Sequence, residues 1–161
     1  MTEKIKKVTK RYLPQAIIGS CIVIAFLLSL ILYLTMNDSK RREFLFPSAE
    51  DNGTLVIEYR NLSKDAVQGD VQYFIDELLL GSSVERTRML FTPGTKVISC
   101  FQRGKTLYLN LSDDLLQMGP GVIPIEDGVE LLKKNIKTNF SRIEDVELYV
   151  DGNFAFEKQK R

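Results

Sequence analysis

Two adjacent carboxylates, Asp113 and Asp114, and a second acidic pair, Glu126-Asp127, are the residue types here that could do acid–base work or hold a hard cation. Neighbouring side chains seldom converge on one atom, and a calcium loop needs several further oxygen ligands at alternating positions. The first pair therefore reads as a turn or helix cap, and the second as acids that complement the dipole of a helix start. Gly119-Pro120-Gly121 lacks the lysine of a phosphate loop, and no Gly-x-Ser-x-Gly elbow is present. The chain has no histidine and no tryptophan, which excludes a histidine triad, a Cys/His zinc site and any imidazole base. Its two cysteines, Cys21 and Cys100, fall in segments that cannot meet, so no disulfide is expected, and Cys100 reads as a small buried hydrophobe. An enzyme would have to use carboxylate, tyrosine, lysine or thiol chemistry; none of these forms a motif. No catalytic residue, metal site or cofactor is expected.

The elements that would position these groups begin with a partition of the 161 residues. Residues 1–12 are a basic head, with Lys4, Lys6, Lys7, Lys10 and Arg11 against Glu3. The rest of the chain carries a small acidic excess, which disfavours nucleic acid as a partner. Residues 13–36, Leu13 to Met36, hold no charge and are dominated by Leu, Ile, Val, Phe and Ala. About 20 apolar residues span a bilayer, so this segment predicts one N-terminal transmembrane helix. The basic head predicts a cytoplasmic N-terminus in the inner membrane and an extracytoplasmic C-terminal part. Ile18-Gly19-Ser20-Cys21 resembles a loose lipobox, but the strongest hydrophobicity follows Cys21, so an uncleaved anchor fits better.

Residues 37–53 read as a polar linker whose Phe44-Leu45-Phe46-Pro47 patch either docks on the domain or lies at the interface. Within the domain, 54–157, a strand from Thr54 to Arg60 is expected to turn Leu55, Ile57 and Tyr59 inward and Glu58 and Arg60 outward. A helix over about 66–80 stops at Gly81. A hairpin follows, with Leu107, Leu109 and Leu111 on its inner face. A second helix aligns Val129, Leu132, Ile136 and Phe140, and a strand from Val146 stops at Asp151-Gly152, beyond which Phe154 can fold back. Residues 158–161 form a basic tail. The order is β-α-β-β-α-β, which predicts an α+β split βαβ-like sandwich with a largely antiparallel sheet.

Five segments in order, Leu55-Val56-Ile57-Glu58-Tyr59-Arg60-Asn61-Leu62, Glu77 to Gly81, Thr92 to Val97, Leu107-Tyr108-Leu109-Asn110-Leu111-Ser112 and Val146 to Gly152, resemble the GerMN domain of bacterial sporulation and germination proteins. The resemblance implies a bacterial, extracytoplasmic, membrane-anchored domain that binds or assembles in the envelope and has no established catalytic residues. The expected function is a non-enzymatic interaction module contacting an envelope protein or a second copy of itself. The alternative is a domain that binds peptidoglycan or a small ligand. Candidate contacts are Glu58 and Arg60, Tyr108 and Tyr149 if these fall on the uncovered sheet face, and the loop carboxylates Asp113 and Asp114.

Overall fold

The computed structural model describes residues 17–33, 39–51 and 53–155. The chain divides into two units, 1–38 and 39–161. In the first, residues 17–33 form an exposed helix, α1. Seventeen residues of helix rise about 25 Å. No helix among the described residues is long and apolar enough to cross a membrane. The ends of the expected 13–36 span, the basic head and the 158–161 tail lie outside the described residues.

The second unit corrects the sequence reading at its start. Residues assigned to a linker form strand β1 (Ser39–Pro47), which pairs antiparallel with β2 (Leu55–Ser63) in an unbroken register with Phe44 opposite Glu58 and Phe46 opposite Val56. Directly opposed residues share a face. Phe44 and Phe46 are fully buried, so they carry Val56, Glu58 and Arg60 inward with them. The expected face of β2 is thereby reversed: Ile57 and Tyr59 are both 52% exposed, whereas Glu58 is buried. Two phenylalanines remove more apolar area from water than Ile57 and Tyr59 could, and the polar residues brought inward find partners, described below.

Helix α2 (Asp70–Leu79) buries Phe74, Ile75 and Leu78 and ends where Gly81 takes φ +87°. Strands β3 (Val97–Arg103) and β4 (Thr106–Leu111) form the expected hairpin around Gly104-Lys105, with φ +62° at Gly104, a twist favoured in two-residue turns. A 3-10 turn over Asp113–Leu116 leads to helix α3 (Ile125–Asn139), then β5 (Asp145–Val150) and β6 (Asn153–Phe154). The larger sheet has the order β3-β4-β5-β6. It is not a simple antiparallel sandwich, because β4 and β5 run parallel. A 15-residue helix connects them, and a strand returning through a helix enters alongside its predecessor in the same direction. Leu107, Leu109, Leu111, Val146, Leu148 and Val150 turn one face of this sheet into a core shared with Phe44, Phe46, Phe74, Leu132 and Ile136.

The outer edge of β1 is sealed by a helix. Asn135, fully buried in α3, accepts the Leu45 N–H at 2.8 Å and donates to the Leu45 carbonyl at 3.0 Å. One turn on, Asn139 accepts the Glu43 N–H at 2.9 Å and donates to the Glu43 carbonyl at 2.6 Å. Helical residues four apart match strand residues two apart, so two carboxamides stand in for a neighbouring strand.

Candidate functional site

The face of the larger sheet opposite the core is open. Alternation along β4 puts Tyr108 and Asn110 there, and along β5 Glu147 and Tyr149. The pairing lines them up in two rows, Phe101-Tyr108-Glu147 and Ser99-Asn110-Tyr149-Phe154. In the first row the Phe101 and Tyr108 rings stack with centroids 5.0 Å apart and planes 8° from parallel. In the second, Tyr149 meets Phe154 edge to face at 5.2 Å and 71°. Asp151 and Gly152, at φ +46° and +79°, make the turn that returns β6 alongside β5. The Gly152 N–H donates to Asn110 Oδ1 at 3.0 Å, which holds this turn against the sheet.

A depression of about 400 Å³ lies between the rows, lined by Ser99, Phe101, Arg103, Tyr108, Asn110, Tyr149 and Gly152. Phe101 and Phe154 are 57% and 49% exposed, so the aromatic area is presented to solvent rather than packed away. The Tyr149 hydroxyl donates to Glu147 Oε2 at 3.2 Å. Partial desolvation, and then that carboxylate, push the phenol above its ordinary range and keep it a donor. Flat apolar rings beside an amide, a carboxylate and a guanidinium suit a ligand or partner with apolar faces and polar edges. A larger hollow of about 690 Å³ between the start of α3 and the β1–β2 turn is ringed by Arg88, Asp127, Glu130 and Lys134 and has no aromatic lining.

Of the residues singled out in the sequence, Tyr108 and Tyr149 come together on this face. Glu58 and Arg60 form a separate clamp facing inward. Glu58 accepts from Arg60 Nε at 2.8 Å and Nη2 at 3.2 Å, from Ser82 Oγ at 2.7 Å, from the Ser83 N–H at 3.2 Å and from Ser83 Oγ at 2.6 Å. Arg60 also donates to the carbonyls of Glu77 at 3.0 Å and Gly81 at 2.6 Å, the unpaired end of α2, and its guanidinium lies 4.8 Å from the Phe44 ring centroid. The Arg60 hydrogen bonds, against the cost of burial, hold the Glu58 carboxyl down to about 2. This pair fastens β2 to α2 and offers little to a partner. Asp113 and Asp114 sit on the 3-10 turn; Asp113 is exposed and lines a separate hollow with Phe154, at the end of the second aromatic row, while Asp114 accepts from Ser112 Oγ at 3.0 Å, and no side-chain hydrogen bond caps the turn. Burial, and then Asp76, push the Cys100 thiol up to about 11, which suppresses the reactive thiolate.

Phe101 and Phe154 were not singled out by sequence reasoning. The signal was present: once the hairpin turns at Gly104-Lys105 and Asp151-Gly152 are fixed, counting outward sets Phe101 opposite Tyr108 and Phe154 opposite Tyr149.

Fold and face together define a small two-sheet α+β domain with one helix-covered core and one exposed aromatic sheet surface. The chain belongs to the Germane family, described as sporulation and spore germination, whose model matches residues 43–155. In structure it is similar to the first GerMN domain of the sporulation protein GerM from Bacillus subtilis, with a TM-score of 0.58 at 16% identity over 75% of this chain and 90% of that one. It is similar also to the tandem GerMN domains of the same protein, with a TM-score of 0.54 at 17% identity, covering 74% of this chain and 42% of that one. In sequence it is 32% identical over 89 residues to an uncharacterized lipoprotein of Treponema pallidum (strain Nichols). That match covers 55% of this chain and 66% of the relative, just under two thirds of its length.

Proposed function

We propose that this chain is a membrane-anchored, extracytoplasmic interaction module of the bacterial envelope that works by contact rather than catalysis. The observation that carries the reading is the open sheet face, where Phe101, Tyr108, Tyr149 and Phe154 present aromatic area in two ordered rows. Aromatic residues are enriched where proteins bind one another, and ordering them on paired strands lowers the entropy lost on contact. The test is recovery of an envelope protein by the full chain in detergent, compared with a Phe101→Ala/Tyr108→Ala variant. A specific partner whose recovery falls by about tenfold or more in the variant, with unchanged circular dichroism, is the expected result. Equal recovery by both proteins would take the function off this face. The second reading, peptidoglycan, draws on the same rings, because sugar C–H faces stack on aromatics while Asn110 and Glu147 offer hydrogen bonds to hydroxyls. Saturable sedimentation with purified peptidoglycan, lost in the same variant, would select it.

Anchoring follows from residues 13–36 and the basic head, with the N-terminus cytoplasmic. The lipoprotein relative supports an envelope location, though by a lipid. The two chemistries separate at Cys21. If the apolar span is the anchor, Cys21→Ser leaves the chain in the alkali-washed membrane pellet, and protease applied from outside digests residues 39–155 but not the head. Release of Cys21→Ser into the supernatant would make the anchor a lipid instead.

A further inference from the structure

The strands and helices of the domain run between two ends, and β1 enters at one of them. Ser39, which starts β1, pairs with Ser63, which ends β2, and Lys40 donates to Asp70 at the start of α2. The loop 64–69 therefore lies at the entry end. Helix α3 runs toward the same end, because Asn135 bonds Leu45 and Asn139, one turn later, bonds Glu43. Residues 140–144 follow there and lead into β5, whose Asp145 pairs with Thr106 beside the β3–β4 turn. The β1–β2 turn, the 3-10 turn, the start of α3 and the β5–β6 turn collect at the opposite end.

Exposed charges sort by end. Of those without a side-chain hydrogen bond or ion pair among the described residues, Arg103, Lys137 and Arg142 outnumber Asp65 at the entry end. The opposite end is dominated by Asp51, Asp113, Glu126, Asp127 and Asp151. At the entry end Arg41, also exposed, lays its guanidinium 4.2 Å from the centroid of the half-exposed Tyr59 ring. The loop there adds Val67, which is 103% exposed, more than any other large hydrophobic among the described residues. Connectivity supplies the partner. Three steps of chain separate Met36, the last residue of the proposed anchor, from Ser39, and they reach at most about 11 Å.

We propose that the entry end docks on the anionic phospholipid surface that holds the anchor, with Val67 entering the headgroup layer and Arg41, Lys137 and Arg142 facing lipid phosphates. An arginine on a tyrosine ring suits the headgroup layer, which takes amphipathic aromatics and guanidinium groups alike. The cations are drawn to an anionic surface within a Debye length, and the acidic end is pushed from it, so the charge separation sets the direction in which the domain stands. Strands β4 and β5 then rise from the membrane, and the aromatic rows face sideways, open to an envelope partner. The proposal deepens the anchored reading above and rests on it.

The test uses the full chain on a Cys21→Ser/Cys100→Ala background, with bimane attached at Val67→Cys or at Met118→Cys, which is 65% exposed and follows the 3-10 turn at the opposite end. Each is reconstituted in phosphatidylcholine vesicles, with or without phosphatidylglycerol, that carry a nitroxide on some headgroups. With phosphatidylglycerol present, quenching at residue 67 is expected to exceed that at residue 118 by about threefold or more, because only a side chain lodged in the headgroup layer meets the nitroxide. Omitting phosphatidylglycerol, or adding Lys137→Glu/Arg142→Glu, is expected to remove most of that excess. Both reversed positions are exposed, and unchanged circular dichroism checks the fold. Equal quenching at the two labels overturns the proposal. Strong quenching at residue 67 that ignores both lipid charge and the double reversal also overturns it, since the tether alone would then hold the loop near the bilayer. A chain that floats with the vesicles after alkaline washing but shows either pattern loses the docking and keeps the anchor, whereas one that does not float loses both.

Discussion

Asn135→Leu is expected to cost about 3 kcal/mol of stability and to lower the midpoint of thermal unfolding by roughly 10 °C. The side chain is fully buried and makes three hydrogen bonds, two to the Leu45 backbone and one to the Leu131 carbonyl at 3.0 Å. Leucine matches it in volume, so packing changes little, but the Leu45 N–H and C=O lose their partners in a region that water does not reach. Each such orphan costs about 1–3 kcal/mol. Asn139→Ala removes the equivalent bonds to Glu43 at a half-buried position, where water can replace them, and is expected to cost about 1 kcal/mol. Denaturant unfolding of the two variants beside the wild type measures both. If Asn135→Leu cost no more than Asn139→Ala, the helix would not be what seals the β1 edge.

The second large effect is at the clamp. Arg60→Ala leaves Glu58 buried without its cation and uncovers the last carbonyls of α2, an expected loss of about 3 kcal/mol. The same contacts make stability depend on pH. Because the folded carboxyl titrates at about 2, below its ordinary value, the unfolded chain takes up the proton first on acidification. The stabilisation is therefore complete above about pH 5 and is lost as pH falls toward 2, a change of about 2 kcal/mol once surface screening is allowed for. Asp70 adds to the same slope: burial raises its carboxyl, but Lys40 at 2.7 Å and Arg42 at 2.6 Å more than offset this. Glu58→Gln is expected to be less stable than wild type at pH 7 and to show a flatter decline between pH 5 and pH 2. An unchanged acid profile in Glu58→Gln would assign the slope to other carboxylates.

Much of the fold was legible because its helices and the β3–β4 hairpin are local. The α3 pattern of Val129, Leu132 and Ile136, and the Leu107, Leu109 and Leu111 alternation, bury the side that their spacing predicts. The parts that were not legible depend on residues distant in the chain. Strand β1 reads as a tether because Lys40 and Arg42 interrupt its inward side. What neutralises them is Asp70, some thirty residues later. The facing of β2 was ambiguous in the same way: its two sides differ by a few apolar atoms, and the decision is made by Phe44 and Phe46 on a strand that one-dimensional periodicity had not found. The parallel pairing of β4 with β5 was implied by the helix between them but obscured by the antiparallel hairpins on either side. For the candidate site, Tyr108 and Tyr149 were legible from alternation, whereas their neighbours Phe101 and Phe154 needed the turns to be placed first.

The carboxamides that close β1 carry a kinetic consequence, because Leu45 and Asn135 are separated by ninety residues. At about 5–20 residues per second, a ribosome takes several seconds to make the intervening chain. During that interval the β1–β2 hairpin exists with both of its long edges unpaired. Nascent domains of this chain therefore pass through a stage in which β1 can recruit any neighbouring strand, and slow delivery of α3 lengthens it. Chaperone dependence during synthesis should track the arrival of residue 135 rather than the completion of the hairpin.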